Sequence, residues 1–291
     1  MASEGVNGGM GGKVVLITGG TSGIGKATAT PLAAMGAQVV VTGRSRERGE
    51  AAVEEIRHAS GNEGVSLMVA DLTVQAEVRK LAEEFGQSHE RLDVLVNNAG
   101  AVFSRRGETV DGLERTFALN HLAPFLLTNL LLDLLKESAP SRIITVSSEA
   151  QRRAKIDFDN LQGERRYRAF RAYGQSKLAN LLFTYELAER LRGTGVTANC
   201  VHPGAVGTNF GKNNGGLMVL LFRALKPFMR TPELGADTLI YLASSPEVEG
   251  VSGRYYADRK VISSLEEPHD VNAQKRLWEA SEELTNLKVA S

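Results

Sequence analysis

The chain has 291 residues, 42% of them apolar, which is enough to bury a sizeable core in one doubly wound domain. Its 34 Lys and Arg balance 34 Asp and Glu, so it carries no net field that would recruit nucleic acid. A lone cysteine, Cys200, cannot form an internal disulfide, which agrees with a reducing compartment, and the five histidines lie without ligand spacing, so no metal site is expected.

The opening MASEGVNGGMGG is small, polar and glycine-rich, without the basic start and apolar centre of a secretory signal, and residues 1–12 are expected to be a disordered tail. KVVLITGGTSGIGKATA then reads as strand, turn and helix, the strand at Val14 to Thr18. Gly19, Gly23 and Gly25, with Thr21, Ser22 and Ile24 between them, leave room for backbone N–H groups to approach a pyrophosphate at the positive end of the helix. Further strands are expected at Gln38 to Thr42, Val65 to Val69, Leu92 to Val96, Arg142 to Val146 and Val196 to Val201, with helical patterns between them and a short strand near Gly253 to Tyr256. Strands this apolar, alternating with helices, imply an α/β fold with a doubly wound parallel sheet covered on both faces, Rossmann-type, with a seventh strand completing it.

Several polar groups stand at the ends of these strands. Asp71 and Leu72 end the third, Asn98, Ala99 and Gly100 follow the fourth, Ser147 and Ser148 close the fifth, and Pro203, Gly204 and Thr208 follow the sixth. Asn120 interrupts a helical stretch. Between Ser148 and Tyr173, QRRAKIDFDNLQGERRYRAFR carries charges of both signs and is expected to be a solvated loop. Tyr173 and Lys177 sit four apart in AFRAYGQSKLANLLF, which places both on one face of a helix. An ammonium beside a phenol favours the phenolate and draws its pKa toward the range useful for proton transfer. GLMVLLFRALKPFMR, from Gly216 to Arg230, is apolar enough for either a core helix or a lid spanning 206–232. No run approaches the ~20 apolar residues a membrane-spanning helix needs.

This ordered set resembles the short-chain dehydrogenase/reductase family from about Lys13 to about Leu284, and LNHLAPFLLTNLLLDLLKESAPSRI, KIDFDNLQGE and AYGQSKLANLLFTYELAERLRGTGVTANCVHPG resemble its retinol dehydrogenase branch. The resemblance implies strand order 3-2-1-4-5-6-7 in one domain spanning 13–291. It also implies that Tyr173 is the acid/base, that Lys177 tunes it and binds the nicotinamide ribose, that Ser148 donates to the substrate oxygen, and that Asn120 holds a relaying water. Asp71 and Leu72 would meet adenine, Asn98 to Gly100 the adenosine ribose, and Pro203, Gly204 and Thr208 the carboxamide end. Cofactor choice turns on the end of the second strand, where Gly43 and Arg44 stand in place of a carboxylate, so NADP(H) is expected, with help from Arg48.

The expected function is reversible hydride transfer to a lipophilic aldehyde, ketone or alcohol such as a retinoid. Reduction of quinones or small xenobiotic carbonyls is the alternative enzyme, and a non-catalytic dinucleotide sensor the alternative from another class. Retinol dehydrogenases commonly carry an N-terminal membrane anchor, which this sequence lacks ahead of its first strand, so a soluble cytoplasmic enzyme is expected. A homo-oligomer is compatible with the sequence, and the segment before Tyr173 could obstruct pairing through the helices bearing Asn129 and Tyr185.

Overall fold

The structure, a computed structural model, describes residues 9–206, 229–264 and 270–287. Strands β1 (Val14–Ile17), β2 (Gln38–Gly43), β3 (Val65–Val69), β4 (Val94–Asn97), β5 (Ser141–Val146), β6 (Val196–Val201), β7 (Tyr255–Ala257) and β8 (Lys260–Val261) form one sheet in the order 3-2-1-4-5-6-7-8. All neighbours pair in parallel except β7 and β8. The sheet therefore has eight strands where seven were expected. The eighth returns through a tight turn in which Asp258 and Arg259 both adopt positive φ, the geometry of a type I′ hairpin, with no glycine to announce it. Ion pairs from Arg230 to Asp258 and from Arg259 to Asp237 hold that turn, so its cause is tertiary.

Side chains along the central strands alternate between two cores. Val15, Ile17, Val39, Val41, Val94, Val96 and Ile144 face helices α1 (Gly23–Ala34), α2 (Arg46–Ser60) and α8 (Pro232–Ser244). Leu16, Val40, Leu95 and Ile143 face α3 (Gln75–Ser88), α5 (Ala123–Leu130), α6 (Leu132–Glu137) and α7 (Ala169–Arg190). A short α4 (Arg115–Phe117) precedes α5. The C-terminal α9 (Val271–Thr285) packs on α7 through Trp278, which lies 5.0 Å from the Phe125 ring and 5.9 Å from that of Phe183. Burying such a ring contributes roughly 2–3 kcal/mol and fastens the C-terminal helix to the helix that bears Tyr173.

The expected tail does not extend to residue 12. Met10 is buried against the core, and its N–H donates to the Met35 carbonyl at 3.2 Å. Its side chain is a large apolar group shortly before β1, within reach of the core. Residues 1–8 and most of the expected lid, including Thr208, lie outside the described residues. Among the described residues no helix is long and apolar enough to cross a membrane.

The segment between Ser148 and Tyr173 is only partly the solvated loop its charges predict. Its arginines are exposed, but Ile156 is buried beside Phe117 and Leu178. The Tyr167 hydroxyl donates to the Phe103 carbonyl at 2.8 Å, and Arg106 Nε donates to the Gln162 carbonyl at 2.9 Å. Gln175, two residues beyond Tyr173, bonds both Asp157 N–H and the Leu161 carbonyl. These ties clasp the segment to α7 and to the loop after β4.

Candidate active site

The turn between β1 and α1 is shaped by glycine where the chain must be closest to itself. A Cβ on Gly25 would lie 2.4 Å from the Gly19 carbonyl oxygen and 2.6 Å from Asn98 Nδ2, and Gly19 and Gly23 have φ of +65° and +55°. Ser22, at the N-cap of α1, makes no side-chain capping bond, and the first turn holds no acidic residue. The first N–H groups of a twelve-residue helix are thus left for an external anion. Asn98 ties this turn to β4, donating to the Thr18 and Gly19 carbonyls at 2.8 and 3.2 Å. Thr18 Oγ1 accepts from the N–H groups of both Asn98 and Ala99, a role unread in the sequence because a threonine at a strand end is common.

Gly43 ends β2 against Thr21, where a Cβ would lie 2.8 Å from Thr21 Cγ2. The position expected of a carboxylate in NAD-preferring sites is therefore filled by a close contact. Arg44 and Arg48 are exposed, and Arg44 makes no ion pair among the described residues. Asp71 accepts from Thr73 N–H and Oγ1 through Oδ1, at 2.9 and 2.8 Å. Leu72 is buried beneath it.

Asn120 lies in a five-residue π-helical turn, Ala118–Leu122, between α4 and α5. Such turns recur at functional sites because they push one residue out of the regular ladder. The Asn120 side chain is fully buried: Oδ1 accepts from Ala101 N–H at 2.8 Å, and Nδ2 donates to the Ala101 carbonyl and to Ser176 Oγ at 2.9 and 3.0 Å. It latches the loop after Gly100 to α7, leaving little of the side chain for water.

Ser148, Tyr173 and Lys177 converge at the carboxyl end of β5. Ser148 Oγ accepts from Ala150 N–H at 3.3 Å and shares a hydrogen bond with the Tyr173 phenol. Ser147 points to the opposite side, donating to the Lys177 carbonyl at 2.7 Å, as strand alternation requires. Lys177 is buried, with Nζ 2.8 Å from the Val146 carbonyl and 5.9 Å from the Tyr173 ring centroid. Burial pushes the Lys177 ammonium down to about 8. Burial also raises the Tyr173 phenol to about 12, only partly offset by Ser148. The expected lowering of Tyr173 is outweighed by burial of the phenol. Tyr173 is consequently a protonated acid at neutral pH, suited to donating.

Pro203 and Gly204 follow β6 at the same end of the sheet. Gly204 has φ +81°, and its N–H donates to His202 Nδ1 at 3.0 Å. A Cβ there would lie 2.9 Å from the Arg230 side chain.

A protein-family model described as short chain dehydrogenase matches residues 13–216. Human "Retinol dehydrogenase 14" is 47% identical over 294 residues, covering 96% of this chain and 88% of that protein. A crystal structure of a protein from Mycobacterium Paratuberculosis superposes with a TM-score of 0.79 at 33% identity, covering 97% of this chain and 96% of that one. A short chain dehydrogenase from Burkholderia cenocepacia J2315, solved in complex with NADP, gives a TM-score of 0.67 at 28% identity, covering 85% and 96%. A hydride-transfer oxidoreductase built on a nicotinamide dinucleotide accounts for both the fold and the polar groups gathered at one end of it, and the chain belongs to the short-chain dehydrogenase/reductase family.

Proposed function

We infer that the protein is an NADP(H)-dependent oxidoreductase acting on a lipophilic alcohol, aldehyde or ketone of retinoid size. The observation that carries this reading is the convergence of Ser148, Tyr173 and Lys177 beside the uncapped start of α1, so that a proton donor and an anion site share one end of the sheet. Bound at this site, a reduced nicotinamide would supply hydride to a carbonyl carbon. Tyr173 gives its phenolic proton to the carbonyl oxygen, and Ser148 donates a hydrogen bond to that oxygen as charge develops on it. Lys177 would hold the nicotinamide ribose and offset the charge of the phenolate that remains on Tyr173. Asn120 acts by fixing the loop after Gly100 against Ser176.

The α1 N-terminus with Thr21, Ser22, Gly23 and Ile24 would hold the pyrophosphate, and Asp71 and Leu72 the adenine. Asn98, Ala99 and Gly100 would line the ribose, and Pro203 and Gly204 the nicotinamide end. Arg44 favours NADP(H), because an exposed guanidinium in place of a carboxylate can take a 2′-phosphate in bidentate fashion. The similarity to retinol dehydrogenases supports a long apolar substrate. The test is oxidation of NADPH and NADH against retinal, short aldehydes and quinones. Preference for NADPH with retinal is expected; faster turnover of quinones would assign the chain to general carbonyl reduction, and no turnover of any would leave it a dinucleotide-binding protein.

A further inference from the structure

His121 follows Asn120 within the π-turn, is fully buried, and has no part in the chemistry above. Its ring lies 4.9 Å from that of Phe117 and 6.2 Å from that of Phe183, and both nitrogens face polar partners on different helices. Nε2 is 2.9 Å from Ser281 Oγ on α9, and Nδ1 is 3.3 Å from Asn180 Oδ1 on α7. Asn180 Nδ2 donates to the Val146 carbonyl at 3.1 Å, the same oxygen that accepts from Lys177 Nζ. A carbonyl cannot accept from an amide oxygen, so the Asn180 nitrogen must face Val146 and its oxygen the histidine. His121 therefore carries its proton on Nδ1, and Nε2 accepts from Ser281, whose single hydrogen is shared with the Leu277 carbonyl. Burial, aided by the nearby Lys177 charge, lowers His121 to about 4, so the ring stays neutral through the working range.

We propose that His121 is a positioning residue for Lys177: its Nδ1–H holds the Asn180 amide with nitrogen toward the Val146 carbonyl, while Ser281 of the C-terminal helix fixes the ring. The inference rests on the reading of Lys177 as the ribose-binding cation. Without the Nδ1–H the Asn180 amide keeps only one of its two orienting hydrogen bonds, that to Val146, and its turned-over orientation becomes accessible. Its oxygen would then stand beside that of Val146, and two acceptors would draw the ammonium away from ribose and phenol. The other groups facing Lys177 are Tyr173 on its own helix, Cys200 on β6 and Asn120 Oδ1 across Gly100, none of them anionic at neutral pH.

Three substitutions separate this role from simple packing. His121→Asn places an amide N–H where Nδ1–H stands, His121→Gln reaches only the Nε2 position toward Ser281, and His121→Phe keeps the ring volume with neither. All three should lower thermal stability, which is measured separately. The deciding readout is NADPH affinity by fluorescence between about pH 6 and 10, in the full chain, together with kcat and KM for the best carbonyl substrate. In the wild type, affinity that needs the ammonium should fall as pH rises through about 8. In the Phe and Gln variants that fall should move to higher pH and kcat should drop about tenfold at unchanged carbonyl KM, whereas Asn should recover at least about half the wild-type kcat and its pH midpoint. A Phe variant that superimposes on the wild type, or a Gln variant that recovers as well as Asn, would overturn the positioning role. A wild-type affinity that ignores pH would instead overturn the ribose role of Lys177, so the two failures are distinguishable.

Discussion

Gly25→Ala adds one methyl group where three atoms already converge. The new Cβ would sit 2.4 Å from the Gly19 oxygen, 2.6 Å from Asn98 Nδ2 and 2.9 Å from Gly20 Cα, so the turn must open by the better part of an ångström against backbone on two sides. Forcing an extra methyl into such a site costs about 1–3 kcal/mol, while alanine recovers up to about 1 kcal/mol of helix propensity. With the full propensity gain the net is a loss of up to about 2 kcal/mol, or a fall of up to roughly 6 °C in Tm for a domain of this size. Opening the turn also displaces the N–H groups at the start of α1, so NADPH Kd should rise by more than about tenfold. Gly86→Ala is the matched control. Gly86 lies in the last turns of α3, exposed, with nothing within 4 Å of its Cβ position, and there alanine should raise stability by about 0.5 kcal/mol without touching cofactor affinity. Differential scanning fluorimetry and NADPH fluorescence titration read both quantities. If Gly25→Ala were as stabilising as Gly86→Ala, or destabilised the fold with NADPH Kd unchanged, the close approach at this turn would not be what shapes the cofactor site.

Tyr173→Phe should cut turnover by about 10²–10⁴-fold while NADPH affinity stays within about twofold, since only the transferable proton is lost; single-turnover rates check it, and a loss of only a few-fold would discard the proton route. Arg44→Ala should weaken NADP(H) by about one to two decades in Kd, for loss of a charge-assisted pair worth about 1.5–3 kcal/mol, and leave NAD(H) nearly unchanged; titration with both cofactors decides it. Asp93 is a buried carboxylate at the opposite end of the sheet, and burial pushes its pKa up, but hydrogen bonds from Arg91, the Val14 N–H and Lys13 outweigh that and hold it below the usual carboxylate range. A depressed folded-state value means its contribution is present above the unfolded pKa near ~4 and is lost as pH falls below it. Asp93→Asn should therefore cost about 1–2 kcal/mol at pH 7, discounted because Lys13 and Arg91 are partly solvated, and the deficit should shrink toward pH 3 in urea titrations.

The interior strands were legible because a parallel strand buried on both faces needs an unbroken apolar run, and VVLI, VVV and IITV have no other use in a neutral chain of this size. The glycines of the first turn were legible because only glycine tolerates positive φ and backbone contact there, and the Tyr173–Lys177 pair because i, i+4 spacing on a helix is a local rule. What local rules cannot express was decided by tertiary structure. The β7–β8 hairpin has its positive-φ turn held by partners from elsewhere in the chain, Arg230 on Asp258 and Asp237 on Arg259, and Met10 is placed by the core within its reach. The charged segment before Tyr173 is fastened by Tyr167 to the loop after β4, far from it in sequence, and by Gln175 to α7. Lys177 faces the Val146 carbonyl, and that carbonyl is shared with Asn180, which His121 orients from a third element. Proton affinities at the site followed from burial rather than from the pairing of residue types, and burial is a property of the assembled fold that no spacing of residues records.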